Sequence, residues 1–150
     1  MTKAEIIAEA LAKLQTRIGE VEQQIVQTEQ SQADDSKSSA GDKFETGRER
    51  LQQELNRLGA QLMYLKEQRI AIEVASRIKP SSRAAVGSLL TLSNGARYLI
   101  AVGFGKLKLA DGGQVFVISP EAPIGEALIG KIEGDRFDFR GQKLSVLGIN

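Results

Sequence analysis

Twice in this chain, apolar residues recur at spacings that alternate four and three. The first run is Ile7, Leu11, Leu14, Ile18, Val21, Ile25 and Thr28, and the second is Leu51, Leu55, Leu58, Leu62, Leu65, Arg69 and Ile72. That alternation is the a/d seam of a coiled coil. The short polar stretch between the runs predicts that the chain folds back so that one seam covers the other, as an antiparallel helical hairpin. Helices of roughly 33 residues, at about 1.5 Å per residue, make a rod on the order of 50 Å long. Such a rod presents its tip where a globular surface does not reach.

The helix boundaries follow from local chemistry. The first helix is expected over about residues 3–32, with Thr2 as N-cap and Glu5 three residues on, the pattern of a capping box. Residues 33–41 (ADDSKSSAG) are polar, serine-rich and without period, and read as a loop. The second helix runs from about Lys43 to Ile78 and stops before Pro80. From Val86 the period becomes alternating. Asn94-Gly95 and Asp111-Gly112-Gly113 mark two hairpin turns, Arg140-Gly141 a third, and PIGEALIG gives one or two turns of helix closed by Gly130. The predicted class is α+β, with a coiled-coil hairpin over residues 1–78, a linker over 79–85 and a small, mostly antiparallel β domain with one short helix over 86–150.

Composition removes whole classes of chemistry. The chain has no cysteine and no histidine, so Cys/His zinc sites, catalytic thiols and imidazole bases are excluded. Residues 1–78 carry 11 basic and 13 acidic side chains and residues 79–150 carry 9 and 6, so neither part has a dense basic run of the kind that neutralises nucleic-acid phosphates. The N-terminus starts as an amphipathic helix without the apolar core of a signal peptide. No apolar run approaches the roughly 20 residues that span a bilayer. Together with the missing cysteines, this predicts a cytoplasmic protein with no membrane partner.

Asp34, Asp35, Asp42 and Glu45 cluster at the predicted tip. Asp42 and Glu45, three apart at the start of a helix, can approach one another. Converging carboxylates suit a hard cation such as Mg²⁺, bound weakly until a second macromolecule completes the coordination. The same spacing is equally that of an N-cap with its capping-box partner, where negative charge also suits the helix dipole. Asp34 and Asp35 read as a solvated loop.

Two motifs make the chain resemble the bacterial Gre transcript cleavage factors along nearly its whole length. The family's tip motif, Gly-Asp, two variable residues and Glu, stands here as Gly41-Asp42-Lys43-Phe44-Glu45. Its SPIxxALIGK-like segment stands as Ala122-Pro123-Ile124-Gly125-Glu126-Ala127-Leu128-Ile129-Gly130-Lys131, after Ile118-Ser119-Pro120-Glu121. The resemblance implies an FKBP-like β domain and a protein that is not itself an enzyme. Such a protein inserts its coiled coil into the secondary channel of RNA polymerase and stimulates Mg²⁺-dependent cleavage of a backtracked transcript at its 3′ end. By the motif match Asp42 and Glu45 are the catalytic helpers and metal ligands, holding Mg²⁺ jointly with the polymerase, and none is expected on the isolated chain. Glu121, Pro123 and Ile124 fall where the family contacts the polymerase rim. Read from the residues alone, the same positions are a turn and a buried helix anchor.

The chain departs from the family at Thr46-Gly47-Arg48-Glu49, where the family continues Asn-Ala-Glu-Tyr, and at Ala122, where it has serine. Relatives that occupy the same channel but inhibit or modulate the polymerase therefore stand as the alternative. A prolyl isomerase would need an aromatic pocket built from Tyr98, Phe104, Phe116, Phe137 and Phe139. A dimeric coiled-coil scaffold would require the seam to pair between chains, whereas the hairpin reading expects a monomer.

Overall fold

The computed structural model describes the backbone of residues 1–37 and 41–150, and the side chains of residues 1–34 and 46–150. Two long helices, α1 (Lys3–Lys37) and α2 (Gly41–Ser76), precede six strands and one short helix. The strands are β1 (Leu89–Leu92), β2 (Arg97–Ile100), β3 (Gly105–Lys108), β4 (Gln114–Ile118), β5 (Arg136–Phe139) and β6 (Gln142–Ile149), with α3 (Pro123–Leu128) between β4 and β5. The class is α+β. The chain divides into two compact units, one of Met1–Ala12 with Gln68–Asn150 and the other of Lys13–Glu67.

The unit of Lys13–Glu67 is a helical hairpin, and its seam is the one the spacing predicts. Leu14, Ile18, Val21, Leu58 and Leu65 are buried, and Ile25, Thr28, Leu51, Leu55 and Leu62 are half-buried. Most of the positions between them face solvent. Each fully covered aliphatic side chain contributes about 1.5–3 kcal/mol, and burial of an unbroken stripe holds together helices that would be marginal alone. The first helix begins as expected. Thr2 N–H donates to the Glu5 carboxylate at 2.7 Å and Glu5 N–H donates to Thr2 Oγ1 at 3.2 Å, a reciprocal capping box. It ends later than its polar sequence implied: residues 33–37 continue the helix, since they contain neither proline nor glycine to stop it. The second helix begins at Gly41 and ends at Ser76, two residues earlier at each end than the expected Lys43 and Ile78.

In the other unit the six strands form one sheet in the order β3-β4-β2-β1-β6-β5. Four of its pairings are antiparallel, as expected. The fifth, β2 with β4, is parallel, with Tyr98 opposite Phe116 and Ile100 opposite Ile118. The reason is the route of the chain: β3 runs back along the outer side of β4, so the chain has reversed twice between β2 and β4. Turn residues fall where their backbone angles are needed. The two-residue turn from β5 to β6 has Arg140 at φ 51 and Gly141 at φ 80, the paired positive angles of a tight hairpin. The Arg140 guanidinium lies 5.2 Å from the Phe139 ring centre, a cation–π contact that favours this conformation.

Strand alternation sends two sets of side chains to opposite faces. Leu90, Leu92, Ile100, Leu144 and Val146 form a core with Leu128 of α3 and Ala84, and Ile124, Tyr98, Phe137 and Phe139 pack against it. Leu89, Leu99, Leu107, Val115 and Val117, of the other parity, are equally buried. Within this unit the helix ends are tied to the sheet by polar contacts. Lys3 Nζ donates to the Gly87 carbonyl, Glu9 accepts the Ala110 N–H with both carboxylate oxygens, and the buried Gln68 donates to the Gly103 carbonyl at 2.8 Å. Ile6, Ala10 and Ala75, outside the a/d ladder, are also buried here, so the apolar stripe widens where the helices belong to the sheet unit.

Candidate functional site

The segment between β4 and α3 is shaped by a close approach. Ala122 N–H donates to the Ser119 carbonyl at 3.1 Å, closing a turn over residues 119–122, and Pro123 then opens α3 at its first position. Proline suits that place because its missing N–H would have had no partner in the helix. The turn lies directly on the helix at Gly125, where a Cβ would fall 2.2 Å from the Ser119 carbonyl oxygen. Only glycine permits that contact. Ala122, the N-cap, offers no side-chain hydrogen bond, so α3 starts with a rigid turn and a proline in place of a hydroxyl cap.

This construction decides where Glu121, Pro123 and Ile124 lie. Glu121 and Pro123 are exposed, whereas Ile124 is half-buried and packs on the core cluster with Leu128. Ile124 therefore anchors the helix, and the other two face outward. Beside them is an open groove of about 530 Å³ lined by Ala85, Val86, Pro120, Glu121, Glu126 and Ile129. Its apolar wall includes Ile129, which is 39% exposed. The far end of the helix is fixed from the chain preceding the sheet: Gly130 N–H donates to the Ala84 carbonyl and the Arg83 guanidinium to the Gly130 carbonyl.

Ser119 controls the Glu121 side chain. Its Oγ accepts the Glu121 backbone N–H at 3.1 Å, and its hydroxyl donates to the Glu121 carboxylate. The hydroxyl, and after it the residue's own backbone N–H, hold the Glu121 carboxyl below the usual carboxylate range, because both favour the charged form. Sequence reasoning placed Glu121, Pro123 and Ile124 in this region but missed Ser119, Glu126 and Ile129 as parts of one surface and Gly125 as the buried contact beneath the turn. The Ser-Pro-Glu triplet and the glycine in a helical segment were the available signals.

Asp42 and Glu45 are the second and fifth residues of α2, so Asp42 stands inside the helix and not at the N-cap position its spacing suggested; their side chains lie outside the described residues. Among the described residues no group of three or more aspartate or glutamate side chains is placed to hold a metal ion, and no helix is long and apolar enough to cross a membrane.

No protein-family model matches the chain and no curated protein matches it. Among solved structures it is similar to one described as the structure of the transcription factor Gfh1, with 20% identity over 93% of this chain and 92% of that chain, at a TM-score of 0.36. A superposition at that score assigns no residue of this chain a role.

Proposed function

We propose that the chain is a transcription elongation factor that docks on RNA polymerase through the α3 surface and offers the carboxylates of Asp42 and Glu45 to the polymerase active site. The observation that carries this reading is the outward presentation of Glu121 and Pro123 beside an apolar groove, with Ile124 turned into the core. A turn clamped so closely to its helix keeps its shape on binding, which lowers the ordering cost of docking. The motif at the start of α2 supplies the second half of the reading. Helix N-termini favour negative charge, which suits carboxylates as oxygen donors at the start of α2. Carboxylate oxygens fit Mg²⁺, and two of them leave most of an octahedral shell to be filled by the polymerase. The ion, when so held, would supply activation of a water for attack on the transcript. What this chain contributes is position and negative charge, and the cleavage chemistry belongs to the polymerase.

The test is transcript cleavage in a purified, backtracked elongation complex with Mg²⁺. The wild-type chain is expected to accelerate cleavage, and Asp42→Ala with Glu45→Ala to abolish the acceleration while leaving polymerase binding intact. Binding with slowed elongation and no cleavage would replace this reading with that of a channel inhibitor. Failure of the wild-type chain to bind polymerase would overturn both.

A further inference from the structure

One hydroxyl organises the exposed carboxylate of the docking surface. Ser119 is half-buried, its carbonyl is fixed by the Ala122 N–H and by contact with Gly125, and its Oγ makes two hydrogen bonds to Glu121, one to the backbone and one to the carboxylate. An exposed glutamate normally samples many rotamers and loses them on binding. Here the hydroxyl removes much of that freedom in advance. Glu126 lines the same groove, so an apolar wall of Ala85, Val86, Pro120 and Ile129 carries two carboxylates. The complementary partner segment is an apolar side chain beside an arginine or lysine, the guanidinium being the better match for a carboxylate.

We propose that Ser119 is a positioning residue, whose hydroxyl holds the Glu121 carboxylate in one orientation beside the groove to receive a cationic side chain of the polymerase. This rests on the polymerase reading above and specifies the chemistry of the segment that docks. The depressed titration of Glu121, caused first by this hydroxyl, is consistent with it.

Affinity for purified polymerase would be measured for the wild-type chain, Ser119→Ala, Ser119→Thr, Glu121→Ala and the Ser119→Ala/Glu121→Ala double variant, each checked for an unchanged unfolding midpoint. Loss of one hydrogen bond to a charged group is expected to weaken binding about fivefold in Ser119→Ala. Threonine, which keeps the hydroxyl, should restore it to within about twofold. In the Glu121→Ala background the serine change should cost nothing further, because it acts through that carboxylate. Equal losses in both backgrounds, or Ser119→Ala binding like wild type, would overturn the proposal. Carbon-detected NMR titration of Glu121 in the isolated chain gives an independent readout. Its midpoint should rise in Ser119→Ala toward the ordinary carboxylate range, and an unmoved midpoint overturns the positioning role whatever the partner. If the wild-type chain does not bind polymerase, the functional reading falls, and the partner assigned to the groove falls with it.

Discussion

The substitution Gly125→Ala would place a Cβ 2.2 Å from the Ser119 carbonyl oxygen and 3.1 Å from both the Cα and the carbonyl carbon of Pro120. All three obstacles are backbone atoms, so no side-chain rotation relieves the clash, and the turn would have to retreat by roughly 1 Å to reach ordinary contact. Retreat strains the Ala122 N–H bond to the Ser119 carbonyl and loosens packing against α3. Overpacking of this kind costs about 1–3 kcal/mol. Working against it is the helix propensity of alanine, about 1 kcal/mol better than glycine. With backbone atoms in the way at 2.2 Å the upper half of that range applies, about 2–3 kcal/mol, so the net expectation is a loss of about 1–2 kcal/mol, or very roughly 2–8 °C in midpoint for a chain of this size. Gly19, in α1, has no atom within 4 Å of its would-be Cβ, so Gly19→Ala should instead gain up to about 1 kcal/mol. Urea unfolding followed by circular dichroism reads both, provided the slope is unchanged. A Gly125→Ala chain as stable as wild type would refute the claim that the turn and helix are locked by that approach.

Three further outcomes follow from other parts of the molecule. Leu58→Ala removes a side chain that is 1% exposed from the hairpin seam and should cost about 2–5 kcal/mol, seen as early loss of helical signal and faster proteolysis within residues 13–67. Gln68→Leu deletes the buried donor to the Gly103 carbonyl and is expected to cost about 1–3 kcal/mol, so an unchanged thermal midpoint would rule out a stabilising role for that bond. Lys106 and Lys108 face solvent on the edge strand β3, where lysines discourage pairing with other chains. The double variant Lys106→Ile/Lys108→Val should aggregate at lower concentration by light scattering, with its circular dichroism unaltered.

How far the fold could be read from residues alone varied with the range of the interaction involved. The seam was legible because helical periodicity is local: every a and d position from Ile7 to Ile72 that was picked out by spacing is buried or half-buried. The capping box and the hairpin turns were legible for the same reason. The parallel pairing of β2 with β4 was not, since Tyr98 and Phe116 become neighbours through a strand placed between them in sequence and outside them in space. Ile6, Ala10 and Gln68 were missed as core positions because the unit in which they are buried is completed far along the chain. Around α3 the motif singled out Glu121, Pro123 and Ile124, but only packing separated the anchor from the two exposed residues. The roles of Ser119 and Gly125 arise from a carbonyl-to-helix contact that leaves no periodic trace.

The membership of the first twelve residues in the sheet unit has a consequence for synthesis. Lys3 is bonded to Gly87, and Glu9 to Ala110, across separations of 84 and 101 residues. The unit of Met1–Ala12 and Gln68–Asn150 cannot close until its last strand has been made, whereas Lys13–Glu67 can pair as soon as both helices have emerged. At about 5–20 residues per second, the interval from the first turn of α1 to the last strand is on the order of 7–30 s. Through that interval the buried residues Ile6 and Ala10 wait for the rest of the unit to which they belong. The segment of Met1–Ala12 therefore settles only together with strands made long after it, and it is a segment that a nascent-chain chaperone would meet uncovered.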